Sequence, residues 1–268
     1  MIPEPDDLPL DVLLRLALRE VEDDGDAPMP SLVALHRRST REVFERAVAL
    51  AGHRDSARRE LGVLILREFP AFAAETVVLL RERLAVEIEP VVTRWIVSGL
   101  GRHSARVALP QVVALADHPD ERVRFHVAAA LPSLVDLDRV EPEAVEALVR
   151  LCHDADADTR YYALYAATRE IAGLDVGLVT RLTAALADDP DDQVRSMATR
   201  HHEAIHEVRR MIADDSLIGP VLVTLACEGD AAMLAELLRR HLDPAAADAL
   251  AERLVTWWTD RESRVVWA

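Results

Sequence analysis

The chain contains no lysine. All 31 of its basic residues are arginines, set against 47 Asp and Glu, for a formal net charge of −16 over 268 residues. Affinity for phosphate backbones comes from clustered cations, so this balance speaks against nucleic acid as the main partner, although a local arginine face is compatible with it. Cysteine is nearly absent too. Cys152 and Cys227 are too few for a disulfide framework and lie in helical patterns, which predicts two reduced core thiols. Long hydrophobic runs are missing: the apolar stretches GVLIL (62–66) and TVVLL (76–80) fall far short of a membrane span. The start, MIPEPDD, has neither a basic n-region nor an apolar h-region. A soluble cytoplasmic protein with no membrane partner is expected. No stretch alternates with period two, so no strand is predicted and the chain reads as all-α.

What the sequence does contain is a repeat. HRDSARRELG (53–62), HPDERVRFHV (118–127), DADADTRYYA (154–163), DPDDQVRSMA (189–198) and WTDRESRVVWA (258–268) align, with EIEPVVTRWI (87–96) as a weaker copy. The shared frame is a polar residue, often Pro, then Asp, three residues, and Arg. The arginines are Arg59, Arg124, Arg160, Arg195 and Arg264, with Thr93 in the weak copy, and the first five of these six positions recur every 31–36 residues. A further copy around DSLIGPVLVTLA (215–226) has lost the signature. Each copy is predicted to open a helix, with Asp189 or His118 as N-cap, Pro190 or Pro119 in the first turn, and the signature Asp favouring the positive helix end. Ahead of the copies lie amphipathic segments at 74–86, 109–117, 143–152 and 179–187. Each unit is thus helix, tight turn, helix, the length of a solenoid repeat.

This D-x-x-V-R core in repeats of 31–36 residues resembles HEAT repeats, specifically the short bacterial type named after phycobilisome lyases. The resemblance implies an α-α superhelix of about six to seven helical hairpins and serves many functions. It also implies that Asp55/Arg59, Asp120/Arg124, Asp156/Arg160 and Asp191/Arg195 form a ladder of contacts between neighbouring repeats. Residues 1–30 stand apart: LPLDVLLRLALREVE (8–22) is a good helix, read as an N-terminal cap, and DDGDAPMP (23–30) is an acidic loop. The solenoid is placed at 31–268, beginning with SLVALHRRSTREVFERAVALA (31–51). Its last copy stops at 265–268, as its helix would begin burying apolar side chains. Self-burial around Trp257 and Trp258 is expected there, giving a monomer or a weak dimer through the C-terminal edge.

Inside HHEAIHE (201–207) sits an H-E-x-x-H match, which would make His202 and His206 zinc ligands and Glu203 a general base. Ile212 occupies the place of a third histidine in the extended motif, and Glu228 is a remote substitute without a supporting motif. Helical phase places Val194, Ala198, Ile205, Val208 and Ile212 on one apolar stripe. It puts His201 within the stripe, His202 on its flank, His206 towards solvent and both glutamates facing outward. HEAT-type di-iron hydroxylases spread His-Glu pairs over several repeats, whereas both pairs here share one helix. HEAT-like DNA glycosylases need a cationic face that the acidic balance disfavours. A metal-dependent hydrolase is therefore the alternative, and no metal or cofactor is expected.

In HEAT arrays the second helices line the concave, partner-binding face. The scarce aromatics gather there, just after the signature arginines: Trp95, Phe125, His126, Tyr161, Tyr162 and Tyr165, with Met197 and Arg200 in the next repeat. Tyr and Trp are favoured contact residues. Arg94 and the Arg209-Arg210 pair stand as a possible polar rim. The expected function is a non-catalytic scaffold that binds a protein or peptide.

Overall fold

The computed structural model describes residues 5–23, 28–137, 139–212, 214–227 and 230–265, and the side chains of those from 6 to 261. The acidic segment 24–27, Glu228 and the side chain of Arg264 lie outside the described residues. Every regular element among the described residues is helical. They form two compact units, residues 1–135 and 136–268.

Unit 1 holds α1 (Leu10–Glu22), α2 (Pro30–Arg37), α3 (Arg41–Ala51), α4 (Ser56–Arg67), α5 (Ala73–Leu84), α6 (Pro90–Arg102), α7 (Leu109–Val113) and α8 (Glu121–Leu134). Three hairpins, α3/α4, α5/α6 and α7/α8, stack so that the second helices α4, α6 and α8 lie side by side. Their inner faces are the core: Leu61, Ile65 and Leu66 of α4, Ile96 and Leu100 of α6, and Val127 and Leu131 of α8 are all buried. Small residues set the spacing. A Cβ on Gly62 would lie 2.7 Å from the Ala47 carbonyl oxygen, and one on Gly101 would lie 2.9 Å from the Ala130 Cβ. The segment 31–51 is broken at Arg38–Thr40, where Thr40 caps α3 through the Val43 N–H. Helix α1 packs on α2 and α4, and Glu20 reaches from α1 to accept the Ser31 and Leu32 N–H groups at the start of α2.

Unit 2 holds α9 (Pro142–Cys152), α10 (Ala157–Tyr165), α11 (Val176–Ala185), α12 (Asp192–Met211), α13 (Ile218–Ala226), α14 (Ala231–Leu238) and α15 (Pro244–Val265). Helix α10 ends in a π-helical turn over Ala166–Glu170, against which α13 packs. The hairpins here are α9/α10, α11/α12 and α13/α14, with α15 laid against α14.

The signature residues have clear local work, and it differs in part from the expectation. The N-cap is the signature Asp itself: Asp55, Asp120, Asp156 and Asp191 accept the backbone N–H of Arg58, Val123, Thr159 and Val194 at 2.7–3.1 Å. His118 and Asp189, the expected caps, sit two residues earlier and accept the N–H of the capping Asp instead. That leaves the cap position to a short carboxylate with extended backbone, as capping geometry requires. The signature Arg closes the turn ahead of its own helix. Arg59, Arg124, Arg160 and Arg195 each donate to two backbone carbonyls five and six residues upstream.

The contact between repeats belongs to the Arg and a different acid. Arg59 holds Glu87 through two 2.8 Å hydrogen bonds, and Arg160 holds Asp189 at 2.9 and 2.8 Å. Glu87 and Asp189 occupy the same register, two residues before the N-caps Glu89 and Asp191. The expected Asp-to-Arg ladder is thus replaced by Arg to the acid preceding the next cap. The capping Asp is already spent on its own helix.

Two further expectations are corrected. WTDRESRVVWA does not open a helix, because α15 runs unbroken from Pro244 through the described part of that stretch. No proline or tight turn interrupts the run of helix-forming residues before it. The repeat that lost its signature is α13/α14, beginning in the expected stretch 215–226; Asp230 caps α14 through Met233 N–H, and buried Leu234 fills the arginine position. Cys227 is the second correction. Following the last residue of α13, it is exposed, whereas Cys152 is buried in α9 and burial pushes its thiol up to about 12.

Candidate functional site

Of the expected partner-binding residues, Trp95, Phe125 and His126 belong to unit 1. Trp95 projects from α6 and is half-buried. Its indole N–H donates to Glu60 of α4 at 2.9 Å, which fixes the ring across two repeats. The Arg67 and Arg94 guanidiniums lie 5.2 and 5.1 Å from the ring centroid, within cation–π range. His126 of α8 meets the indole edge-to-face at 5.1 Å, and Phe125 meets His126 at the same distance. Three successive second helices therefore each contribute to one aromatic–cationic platform.

Beside Trp95 opens a cleft of about 640 Å³. Its apolar side is Val21, Met29, Leu32 and Leu64, from the N-terminal helices and α4; its polar side is His36, Glu60, Arg67, Arg94 and Arg122. Burial lowers the His126 pKa, and Arg94 and Arg67 push it lower against the opposing hydrogen bond to the Arg122 carbonyl. Burial likewise lowers the pKa of His36, whose Nε2 is 3.0 Å from the Leu64 carbonyl oxygen. Both histidines are neutral near pH 7, so the positive charge of the cleft comes from arginine. Among the described residues, Arg94 and Arg122 have no ion-pair partner, and the buried Arg94 Nε has no hydrogen-bond acceptor.

In unit 2 the tyrosines do cluster. Tyr161 meets Tyr162 edge-to-face at 5.7 Å and stacks on Tyr165 at 6.4 Å, and Tyr162 and Tyr165 are about 40 % exposed. Met197 is a correction. It is only 5 % exposed and sits in the apolar stripe of α12, where the Thr168 hydroxyl contacts its sulfur, so it belongs to the core and not to a binding face. Arg200 is half-buried, with its Nε on the Ser196 carbonyl of its own helix and its carbonyl accepting from Arg261.

The HHEAIHE histidines fall close to their predicted phases. His201 is 7 % exposed, His202 half-buried and His206 exposed. Burial drives the His201 pKa down to about 3, reinforced by Arg169 and Arg261. The His202 and His206 Nε2 atoms are 3.1 Å apart, and the Thr183 hydroxyl holds His202 Nδ1 at 3.1 Å. Glu203 is exposed and pairs with Arg261 at 3.2 Å, while Glu207 is half-buried, not fully outward as expected, and pairs with Arg210. Two imidazoles share a helix face, but among the described residues no third His, Cys, Asp or Glu joins them in a metal-binding group.

Glu60, Arg67 and Arg122 escaped the sequence reading. Each sits at a different place in its repeat, so no local motif marks them. Laying α4, α6 and α8 side by side in register is the signal that would have gathered them around Trp95.

A family model described as HEAT repeats matches residues 77–168. No curated protein sequence matches the chain. The X-ray structure of YibA from Escherichia coli is similar with a TM-score of 0.61 at 15 % identity, covering 94 % of each chain. An archaeal HEAT-like repeats protein from Thermococcus onnurineus NA1 aligns over 94 % of this chain and 98 % of its own, with 14 % identity and a TM-score of 0.47. The complex of CpcE and CpcF of phycocyanin lyase from Nostoc sp. PCC7120 aligns over 81 % and 83 %, with 19 % identity and a TM-score of 0.41. No helix among the described residues is long and apolar enough to cross a membrane. Residues 77–168 thus match HEAT repeats, and the chain as a whole has the all-α repeat-solenoid fold.

Proposed function

We propose that the protein is a non-catalytic interaction module that receives a peptide segment of a partner protein on the second-helix face of unit 1, anchored at Trp95. Residues 1–30 act as its N-terminal cap and acidic loop, and 31–268 as the repeat array. The observation that carries the reading is the setting of Trp95. Its N–H is satisfied by Glu60, cations and His126 surround its ring, and a cleft with one apolar side opens beside it. A pre-ordered aromatic in a concave, half-apolar site loses little entropy on binding, which is the usual make-up of a recognition hot spot. The exposed Tyr162 and Tyr165 offer a second contact area on unit 2.

The hydrolase reading has one supporting observation, the 3.1 Å approach of His202 and His206. It lacks a third ligand among the described residues, and its would-be base, Glu203, is engaged by Arg261.

The test is selection from a random-peptide display library on the full-length chain and on Trp95→Ala. The reading expects a peptide family enriched on the natural chain and lost on Trp95→Ala, with circular dichroism showing both folded. Equal enrichment on both chains contradicts it.

A further inference from the structure

We infer that the Trp95 cleft is specific for an acidic peptide segment, with its carboxylates at Arg94 and Arg122 and an apolar or aromatic residue against Trp95. The inference rests on the peptide-binding reading of the same cleft and supplies the chemistry of the partner.

Acids outnumber arginines in this chain, and several surface arginines pair with them. Arg37 pairs with Asp6, Arg41 with Glu75, Arg209 with Asp215 and Arg239 with Asp248. In the cleft the local balance of charge is the opposite of the chain's. Three arginines line it against one carboxylate, Glu60, and that carboxylate accepts the Trp95 indole N–H. Arg67 is partly spent on Glu68 at 3.0 Å, which leaves Arg94 and Arg122 as the cations without an ion-pair partner among the described residues.

Arg94 makes the case specific. Its Nε is buried with no acceptor, although its guanidinium is laid over Trp95. Buried N–H groups without partners are rare, because each forgoes its hydrogen bonds to water. Stacking holds the planar fork in place, and a planar fork suits a carboxylate, which accepts two parallel N–H bonds. Burial is the main cause of the lowered His126 pKa, and Arg94 and Arg67 add to it in the same direction. The apolar side then selects a mixed segment in preference to a bare polyanion, and a net charge of −16 repels long nucleic acids.

The test uses the full chain and a peptide taken from the display selection. Selected peptides are expected to carry Asp or Glu beside an aromatic or large apolar residue. The same peptide with Gln and Asn at its acidic positions should bind about tenfold or more weakly. Arg94→Met, which keeps the apolar stem on Trp95, and Arg122→Gln should each erase most of that difference. Arg94→Met should also melt no lower than the natural chain, because it removes an unpartnered buried N–H; this separates lost binding from lost folding. Selected peptides without acidic enrichment, or equal affinity for the acidic and amide forms, overturn the inference while Trp95-dependent binding leaves the peptide reading standing. If no peptide depends on Trp95, the reading and the inference fall together. Displacement of the peptide by a single-stranded oligonucleotide through the same arginines overturns the inference in favour of nucleic acid.

Discussion

Arg160 holds Asp189 of the following repeat through two parallel hydrogen bonds, Nε to Oδ2 at 2.9 Å and Nη2 to Oδ1 at 2.8 Å, with both side chains buried. The same guanidinium donates its Nη1 hydrogens to the carbonyls of Asp154 and Ala155. One side chain therefore closes its own turn and ties down the next. Removing one partner strands a buried charge, so Asp189→Ala and Arg160→Met are each expected to cost ~3–5 kcal/mol in denaturant unfolding. The double variant should cost less than the sum of the two. Among the described residues, Arg195 pairs with exposed Asp192 of its own helix, and Asp192→Ala should leave the unfolding midpoint unchanged.

The pair also makes stability pH-dependent. Burial works to raise the Asp189 pKa, but the hydrogen bonds from Arg160 and the Asp191 N–H outweigh it and hold the carboxyl below its ordinary range. A depressed acid contributes stability above its unfolded pKa, and that contribution is lost as pH falls through the folded value. Arg59 and Glu87 repeat the arrangement in unit 1, where burial again opposes and the Arg59 hydrogen bond prevails. Acid unfolding followed by circular dichroism should therefore lose one cooperative component in Asp189→Asn.

The repeats were legible because their signature is local: an Asp caps a helix and an Arg four residues on returns to the turn, so both stay fixed relative to each other in sequence. Partners across repeats were not legible. Glu87 and Asp189 are an acid in one register, but only the stacking of helices shows that Arg59 and Arg160 reach them. Where the signature decays, the reading slipped: Leu234 fills the arginine position of α14, while a chance D-x-x-x-R at 260–264 lies inside the continuous α15. The platform around Trp95 was half legible. Its aromatics stand out by scarcity, but Glu60, Arg67 and Arg122 look like any solvated helix charge until α4, α6 and α8 are placed together.

His201 gives a second pH effect with a different window. Held neutral in the fold with a pKa near 3, it binds a proton in the unfolded chain below about pH 6.5. Between those values the unfolded state takes up more protons, so stability falls with falling pH, by up to about 1.4 kcal/mol per pH unit. His201→Leu should flatten the stability profile between pH 6.5 and 3 in urea titrations. An unchanged slope would show that His201 is protonated in the fold.

The histidine pair on α12 makes a clean contrast with the cleft. His206 is exposed, and its Nε2 lies 3.1 Å from that of His202. His206→Ala is expected to leave both melting temperature and peptide capture unchanged, and dialysis against EDTA should change neither. Elemental analysis of protein purified without chelator should find no stoichiometric zinc or iron. One equivalent of metal, lost in His206→Ala, would instead support the hydrolase reading.

The most direct measurement of the central claim follows the indole N–H signals of the four tryptophans by nitrogen-15 NMR as a selected peptide is added to the full chain. Trp95 is identified by the signal lost in Trp95→Phe. The account predicts that the Trp95 signal shifts in a saturable way, since its N–H is bonded to Glu60 at the wall of the occupied cleft, while Trp257 and Trp258 on α15 stay in place. A peptide that binds while the Trp95 signal stays fixed would contradict it.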